Sequence, residues 1–212
     1  MVEAVIWDFG GVLTTSPFEA FARFETERGL PIDIIRRTNA ANHFENAWAK
    51  FERAEVDLDT FDALFAAESL ALGAEVRGRD VIPLLSGELR PEMIEALRRI
   101  KANCKTGCIT NNLPANAIGS ASGRTLYVAE VMALFDHVIE SAKIGLRKPD
   151  PKIYRMMTDT LGVDPANCVY LDDLGVNLKP ARELGMTTIK VVSADQAIAE
   201  LEAATGLTLR AG

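Results

Sequence analysis

One carboxylate near the start of the chain stands where a short apolar run ends. The run 4–7 is continuously apolar, which is typical of a strand buried on both faces of a parallel sheet. Asp8 follows it, and Gly10 and Gly11 allow the backbone to turn sharply and approach a ligand closely. A carboxylate placed there can attack an electrophile or bind a cation. Taken alone, the same pattern is more typical of an ordinary turn.

Other polar residues follow later apolar runs in the same way. They are Thr110 with Asn111, Lys148 in a loop, and the adjacent pair Asp172 and Asp173. Each position alone is compatible with a turn or a solvated surface. The carboxyl ends of parallel strands share one edge of a sheet, and ligands bind at that edge. Together, these positions predict a functional site there.

The elements that must position these residues form two groups. The segment 16–87 is predicted to be almost wholly helical, and Ser16 is predicted to cap its first helix, with Pro17 at the first helical position. Further along, helices alternate with short strands. These strands are predicted at 106–110, 135–139, 167–171 and 187–192.

The alternation predicts an α/β fold with a doubly wound, Rossmann-like parallel sheet. Residues 1–15 and 88–212 would form this core, and residues 16–87 an all-helical cap inserted after the first strand. The segment 111–124, rich in Asn, Gly, Ser and Ala, predicts a long loop, followed by a helix over 126–134.

Composition excludes several classes of function. The 212 residues carry a net charge of −7 without a basic cluster, so nucleic acid is not an expected partner. An apolar stretch of membrane-spanning length and a secretory signal are both lacking, so no membrane partner is predicted. The cysteines Cys104, Cys108 and Cys168 are odd in number and suggest buried thiols in the cytoplasm. No oligomeric state is predicted.

The order of the polar motifs resembles that of the haloacid dehalogenase superfamily. The motifs occupy residues 7–14, 108–112, 145–151 and 170–182, so the likeness covers essentially the whole chain. The last motif, continued to Met186, is especially similar to the N-terminal phosphatase domain of soluble epoxide hydrolases. In this resemblance the helical insert corresponds to the cap of the family.

The resemblance implies Mg²⁺-dependent hydrolysis of a small phosphorylated metabolite through an aspartyl-phosphate on Asp8. It implies Mg²⁺ ligation by the Asp8 carboxylate, the backbone carbonyl of Gly10 and Asp173. Asp172 would lie in the outer shell of the metal or orient Lys148.

The resemblance also implies how the substrate is held. Thr110 and the Asn111 amide would bind phosphate oxygens, and Lys148 would offset the charge of both phosphate and nucleophile. In the cap, the segment 43–53 concentrates aromatic and charged residues, and Trp48 and Arg53 are its candidate substrate contacts.

One residue departs from the family pattern. Phosphatases of this superfamily usually carry a second Asp two residues after the nucleophile as the proton donor, and this chain has Gly10 there. A metal-ordered water or the substrate itself would serve instead, with Thr14 and Asp172 as lesser candidates. Substrates with good leaving groups, such as sugar-1-phosphates, aryl phosphates and acyl phosphates, are therefore expected to be favoured.

Two alternatives remain open at this point. Metal-independent haloacid dehalogenases also lack the second Asp, but acids at two strand ends make a crowded anionic pocket that favours a cation. A non-catalytic protein that binds a phosphorylated metabolite is the other alternative. The retention of Asp8, Lys148 and the paired acids argues against it.

Overall fold

A parallel sheet lies at the centre of the computed structural model, which describes residues 1–114 and 122–210. Within these ranges the sheet has five strands in the order β3-β2-β1-β4-β5. The strands are β1 (Ala4–Trp7), β2 (Lys105–Thr110), β3 (His137–Glu140), β4 (Cys168–Asp172) and β5 (Thr187–Lys190). All neighbouring strands are parallel, so the predicted α/β class with a Rossmann-like sheet is confirmed.

Helices occupy most of the chain between the strands. Between β1 and β2 lie α1 (Phe18–Glu27), α2 (Ile34–Ala40), α3 (Ala47–Glu52), α4 (Leu58–Ala71), α5 (Gly78–Val81) and α6 (Pro91–Lys101). After β2 come α7 (Ser122–Met132), α8 (Ser141–Ile144), α9 (Pro151–Leu161), α10 (Gly175–Glu183) and α11 (Ala194–Thr205). In the described ranges, no helix has both the length and the apolar character that crossing a bilayer requires.

Alternate residues of β1 face two different apolar clusters. Val5 and Trp7 pack in a cluster that includes residues of α6, α7 and α11. Ala4 and Ile6 pack in another cluster, with residues of α9 and α10. Helices thus cover both faces of the sheet, which explains why the run 4–7 is apolar throughout and fully buried.

Helices α1 to α5 have an apolar core of their own. The rings of Phe51 and Phe61 stack with centroids 4.3 Å apart, and Phe65 lies beside them. Leu113, which follows β2, joins this cluster. We call residues 16–87, which contain these helices, the helical segment.

Two short linkers connect the helical segment to the sheet. Thr14 and Leu89 form an antiparallel bridge, and the Thr15 N–H donates to the Glu88 carbonyl at 2.7 Å. This pairing keeps the first linker extended, so α1 begins only at Phe18. The prediction that Ser16 caps α1 is therefore wrong, because Pro17 occupies the cap position and makes no side-chain capping bond.

The predicted start of the helix that precedes β3 also differs from the structure. Helix α7 begins at Ser122, four residues before the predicted start at 126. The loop predicted over 111–124 lies partly outside the described residues. Asp150 caps helix α9, since its side chain accepts a hydrogen bond from the Lys152 N–H at 2.9 Å.

Candidate active site

The carboxyl ends of β1 and β4 border the point where the sheet changes direction. From β1 the chain builds β2 and β3 on one side, and then returns to add β4 and β5 on the other. Such a switch point forms a crevice in which ligands bind. The Asp8 N–H donates to the Leu171 carbonyl at 2.8 Å, which places the two strand ends side by side.

The predicted acids meet at this crevice. An oxygen from each of Asp8, Asp172 and Asp173 lies within 4.8 Å of the others. Asp8 and Asp172 are buried, and Asp173 is partly buried. The sequence-based expectation that acids distant along the chain share one site therefore agrees with their geometry.

Lys148 joins the two buried acids. Its Nζ lies 2.8 Å from Asp8 Oδ2 and 2.9 Å from Asp172 Oδ2, and the residue has no exposed surface. Burial alone would lower the pKa of Lys148, but attraction to Asp172 and Asp8 raises it above its ordinary value. Lys148 is therefore an ammonium ion that touches the proposed nucleophile.

Asn111 holds the backbone of Lys148. Its side-chain oxygen accepts from the Lys148 N–H at 2.9 Å, and its side-chain amide donates to the Lys148 carbonyl at 3.0 Å. Thr110 precedes Asn111 as the last residue of β2, and it is buried. The Asn111 side chain therefore fixes the Lys148 backbone beside the end of β2.

Asp172 is surrounded by hydrogen-bond donors. Besides Lys148, its carboxylate accepts from the Tyr170 hydroxyl at 2.5 Å, from the Leu174 N–H at 2.8 Å and from Asn177 Nδ2 at 3.1 Å. An ionised carboxylate has about four acceptor positions, and these donors fill them. Asp172 is thus suited to orienting Lys148 and not to direct metal ligation.

Sequence reasoning missed Tyr170 and Asn177. Tyr170 lies two residues before Asp172, on the same face of β4, and Asn177 lies in the first turn of α10. The period of two along a strand was the available signal for Tyr170, because it puts both side chains on one face. A buried tyrosine on that face is also compatible with ordinary packing, so the spacing of Tyr170 and Asp172 is weak evidence for a role at the site.

Asp8 and Asp173 have the properties of a metal site. Burial raises the pKa of Asp8 well above its ordinary value, although Lys148 opposes this effect. Burial and the neighbouring Asp172 raise the pKa of Asp173 to about 6. Close carboxylates with raised pKa values are stabilised by a cation, and oxygen donors suit a hard divalent ion such as Mg²⁺. The residues present therefore fit such an ion.

The two substrate contacts suggested for the helical segment have other partners. Trp48 packs edge-on against Phe61 with ring centroids 5.4 Å apart, and its Nε1 donates to Glu52 Oε1 at 2.8 Å. Arg53 pairs with both carboxylate oxygens of Glu55, at 2.6 and 2.9 Å. These contacts give Trp48 and Arg53 structural roles, so the structure does not support their assignment to substrate binding.

Arg147 connects the helical segment to the loop that carries Lys148. Its Nη1 donates to the His43 carbonyl at 2.6 Å, and its Nε lies 2.7 Å from Glu52 Oε2. Burial raises the pKa of Glu52, and Arg147 partly offsets that effect. Sequence reasoning missed this pair, because the two residues are 95 positions apart and no local pattern joins them.

The chain belongs to the haloacid dehalogenase-like hydrolase family, whose model matches residues 2–185. It is accordingly a hydrolase, and the resemblance predicted from its motifs is confirmed. It is 41% identical to "Bifunctional epoxide hydrolase 2" of Sus scrofa, over 98% of this chain and 40% of that protein. The chain spans between 20% and 40% of the length of the first three curated relatives that it matches.

Two further comparisons cover most of both partners. The chain is 29% identical to "Phosphatase MT3486" of Mycobacterium tuberculosis (strain CDC 1551 / Oshkosh), over 87% of this chain and 85% of that protein. The fold is shared with a HAD family enzyme of Bacteroides thetaiotaomicron solved in complex with magnesium and inorganic phosphate. That comparison has a TM-score of 0.62 and 17% identity, over 95% of this chain and 99% of the other.

Proposed function

We propose that this hydrolase is a Mg²⁺-dependent phosphatase that cleaves a small phosphate monoester through an aspartyl-phosphate on Asp8. The observation that carries the proposal is the ammonium of Lys148, which lies within 2.9 Å of both Asp8 and Asp172 at the carboxyl edge of the sheet. The relative named as a phosphatase and the neighbour with magnesium and inorganic phosphate support it.

The proposed chemistry has two steps. A carboxylate oxygen of Asp8 attacks phosphorus as the bond to the leaving oxygen breaks, and the leaving group departs with the electron pair. Water then attacks phosphorus, releases phosphate and regenerates the Asp8 carboxylate. Lys148 offsets negative charge on the nucleophile and the phosphate, while the Thr110 hydroxyl and the Asn111 amide bind phosphate oxygens.

A divalent cation belongs to the same proposal. Mg²⁺ would be held by Asp8, the Gly10 carbonyl and Asp173, with Asp172 behind them holding Lys148. When bound, it supplies positive charge that reduces the repulsion between the carboxylate and the phosphate. The raised pKa values of Asp8 and Asp173 support this choice, because burial, together with the neighbouring acids, makes both carboxylates costly to ionise without a cation.

Gly10, Thr14 and Asp172 do not provide a side-chain donor for the proton that the leaving group needs. Gly10 has no side chain, and the Thr14 hydroxyl is engaged with the Gly11 N–H and the Thr15 carbonyl, both at 3.2 Å. Asp172 already accepts hydrogen bonds from its neighbours. We therefore assign the proton to a metal-ordered water or to the substrate, and expect a preference for good leaving groups.

We also propose that the helical segment is a cap over the core formed by residues 1–15 and 88–212. A cap that closes over the substrate excludes bulk water from the site. The contacts of Arg147 with His43 and Glu52 support this arrangement, because they join the helical segment to the Lys148 loop. The free cysteines Cys104, Cys108 and Cys168 support a cytoplasmic location.

Turnover of p-nitrophenyl phosphate with Mg²⁺ tests the function. The proposal expects activity that EDTA abolishes and that Asp8→Asn lowers to background. A series of monoesters with graded leaving-group pKa then tests the preference, and a flat rate profile with chemistry limiting would refute it. Halide release from 2-chloropropionate without Mg²⁺ would favour a dehalogenase. Equal background rates of p-nitrophenyl phosphate turnover in the wild-type protein and in Asp8→Asn would favour a non-catalytic binding protein.

A further inference from the structure

We propose that Tyr170 is a positioning residue of this active site, which fixes Asp172 and through it the ammonium of Lys148 against Asp8. The inference rests on the proposed function only for its kinetic consequence, since the positions themselves are measurable without activity. Within residues 1–114 and 122–210, the Tyr170 hydroxyl bonds to Asp172 and makes no hydrogen bond to Asp8, so its effect on Asp8 is indirect.

The contacts form one continuous buried path. The Tyr170 hydroxyl donates to Asp172 Oδ2 at 2.5 Å, and the same oxygen accepts from Lys148 Nζ at 2.9 Å. Lys148 Nζ lies 2.8 Å from Asp8 Oδ2. Tyr170, Asp172 and Lys148 have no exposed surface, so water cannot replace any of these bonds without a rearrangement.

Packing alone does not account for the hydroxyl. The Tyr170 ring lies in the apolar cluster formed with α9 and α10, where phenylalanine would fill nearly the same volume. Burying a hydroxyl costs free energy unless it is hydrogen-bonded, and the bond to Asp172 compensates that cost. The bond also constrains Asp172 Oδ2, the carboxylate oxygen to which Lys148 Nζ donates.

A neighbouring tyrosine provides a matched control. Tyr154 is equally buried, and its ring contacts that of Tyr170 edge-on at 5.3 Å. Its hydroxyl donates to the Asn177 backbone carbonyl at 2.7 Å rather than to an acid. Replacing either residue with phenylalanine removes one buried hydroxyl from the same cluster, but only Tyr170→Phe removes a bond to Asp172.

The test combines kinetics with crystallography. We expect Tyr170→Phe to lower kcat about ten- to hundredfold, the effect of losing a hydrogen bond to a charged group, with KM within about threefold. Tyr154→Phe should leave kcat within about threefold. In an Asp172→Asn background, Tyr170→Phe should cause little further loss, because the path through Asp172 is already broken. Crystal structures should show the Lys148–Asp8 contact lengthened beyond 3.5 Å in Tyr170→Phe and unchanged in Tyr154→Phe.

Each outcome decides a different claim. If the wild-type protein releases no phosphate, the proposed function is wrong. The positioning role is then tested by the Lys148–Asp8 distance in the crystal structures alone. If Tyr170→Phe keeps wild-type kcat and an intact Lys148–Asp8 contact, the positioning role is wrong. Equal losses in Tyr154→Phe, or a full further loss in the Asp172→Asn background, would also overturn it in favour of a general packing effect.

Discussion

The backbone of Gly11 lies directly against the carboxylate of Asp173. A Cβ atom at position 11 would overlap the Asp173 carboxylate, and the residue has a left-handed φ of +74°. Position 11 therefore requires glycine for two reasons, the left-handed backbone conformation and the lack of space for a Cβ atom. This contact brings the acid that follows β4 against the turn that follows Asp8, and it allows both acids to face the same crevice.

Gly11→Ala should weaken metal binding. The added methyl group must displace Asp173, and we expect at least about a tenfold rise in the Mg²⁺ concentration that gives half-maximal activity, as when support of a metal ligand is lost. Gly29→Ala is the control, because Gly29 has a φ of +63° but open space at its Cβ. Calorimetric titration with Mg²⁺ checks the result independently, and an unchanged affinity in Gly11→Ala would remove Asp173 from the proposed ligand set.

Gly10→Asp should restore a proton donor. A Cβ atom at Gly10 meets nothing within 4 Å, and its φ lies outside the left-handed region, so a side chain fits there. We expect kcat/KM for alkyl phosphates to rise about 10²-fold or more, with p-nitrophenyl phosphate changed little, since a good leaving group needs no acid. Gly10→Asn has similar size but donates no acidic proton, and equal gains from both variants would contradict the explanation.

The Arg147–Glu52 pair should behave as a buried ion pair. Their side chains are only 16% and 8% exposed, so removing one charge leaves the other without compensation. We expect Arg147→Met to lower the free energy of unfolding by about 2 kcal/mol, and Arg147→Met with Glu52→Gln to recover most of that loss. Urea unfolding measures both, and a double variant as unstable as the single one would argue against the pair.

Asp62 should make the stability of the helical segment dependent on pH. Burial acts to raise the pKa of Asp62, but hydrogen bonds from Arg77 and from the Arg79 N–H outweigh it, and the net pKa is lowered. A lowered folded pKa stabilises the protein above the unfolded value of about 4, and this contribution is lost as pH falls through the folded pKa.

Asp62→Asn should therefore be less stable than wild type at pH 7, by about 1.5 kcal/mol or more, the contribution of a hydrogen bond between charged groups. The difference should shrink as the pH falls below about 4. Thermal unfolding of both proteins across this range provides the measurement. A difference that stays constant from neutral to acidic pH would show that the charge of Asp62 contributes nothing.

Much of this architecture is readable from residue patterns. The apolar run 4–7 predicts the bounds of β1 without error, because burial on both faces leaves a continuous signal. Asp8 and the paired acids were expected at one sheet edge because each follows a strand, and Lys148 was expected there in a loop; they meet there. These features depend on the pattern of apolar and polar residues along single segments, which can be seen without knowing the contacts between segments.

Other features depend on contacts that no local pattern encodes. Trp48 lies on an aromatic stripe, and such a stripe more often serves packing than substrate binding, but only its neighbours decide between the two. The Asn111 amide was expected on phosphate, and no local pattern shows that its side chain also bonds to the N–H and the carbonyl of Lys148. The pairing of Arg147 with Glu52 depends on how the helical segment meets the sheet.

The central claim is that Asp8 carries the phosphoryl group during turnover. A rapid acid quench of enzyme, Mg²⁺ and p-nitrophenyl phosphate, followed by borohydride reduction and peptide mass spectrometry, tests it directly, because reduction converts an aspartyl-phosphate to homoserine. The account predicts homoserine at position 8 in the wild-type protein and none in Asp8→Asn. Phosphate release with an unmodified Asp8 at every quench time would contradict it.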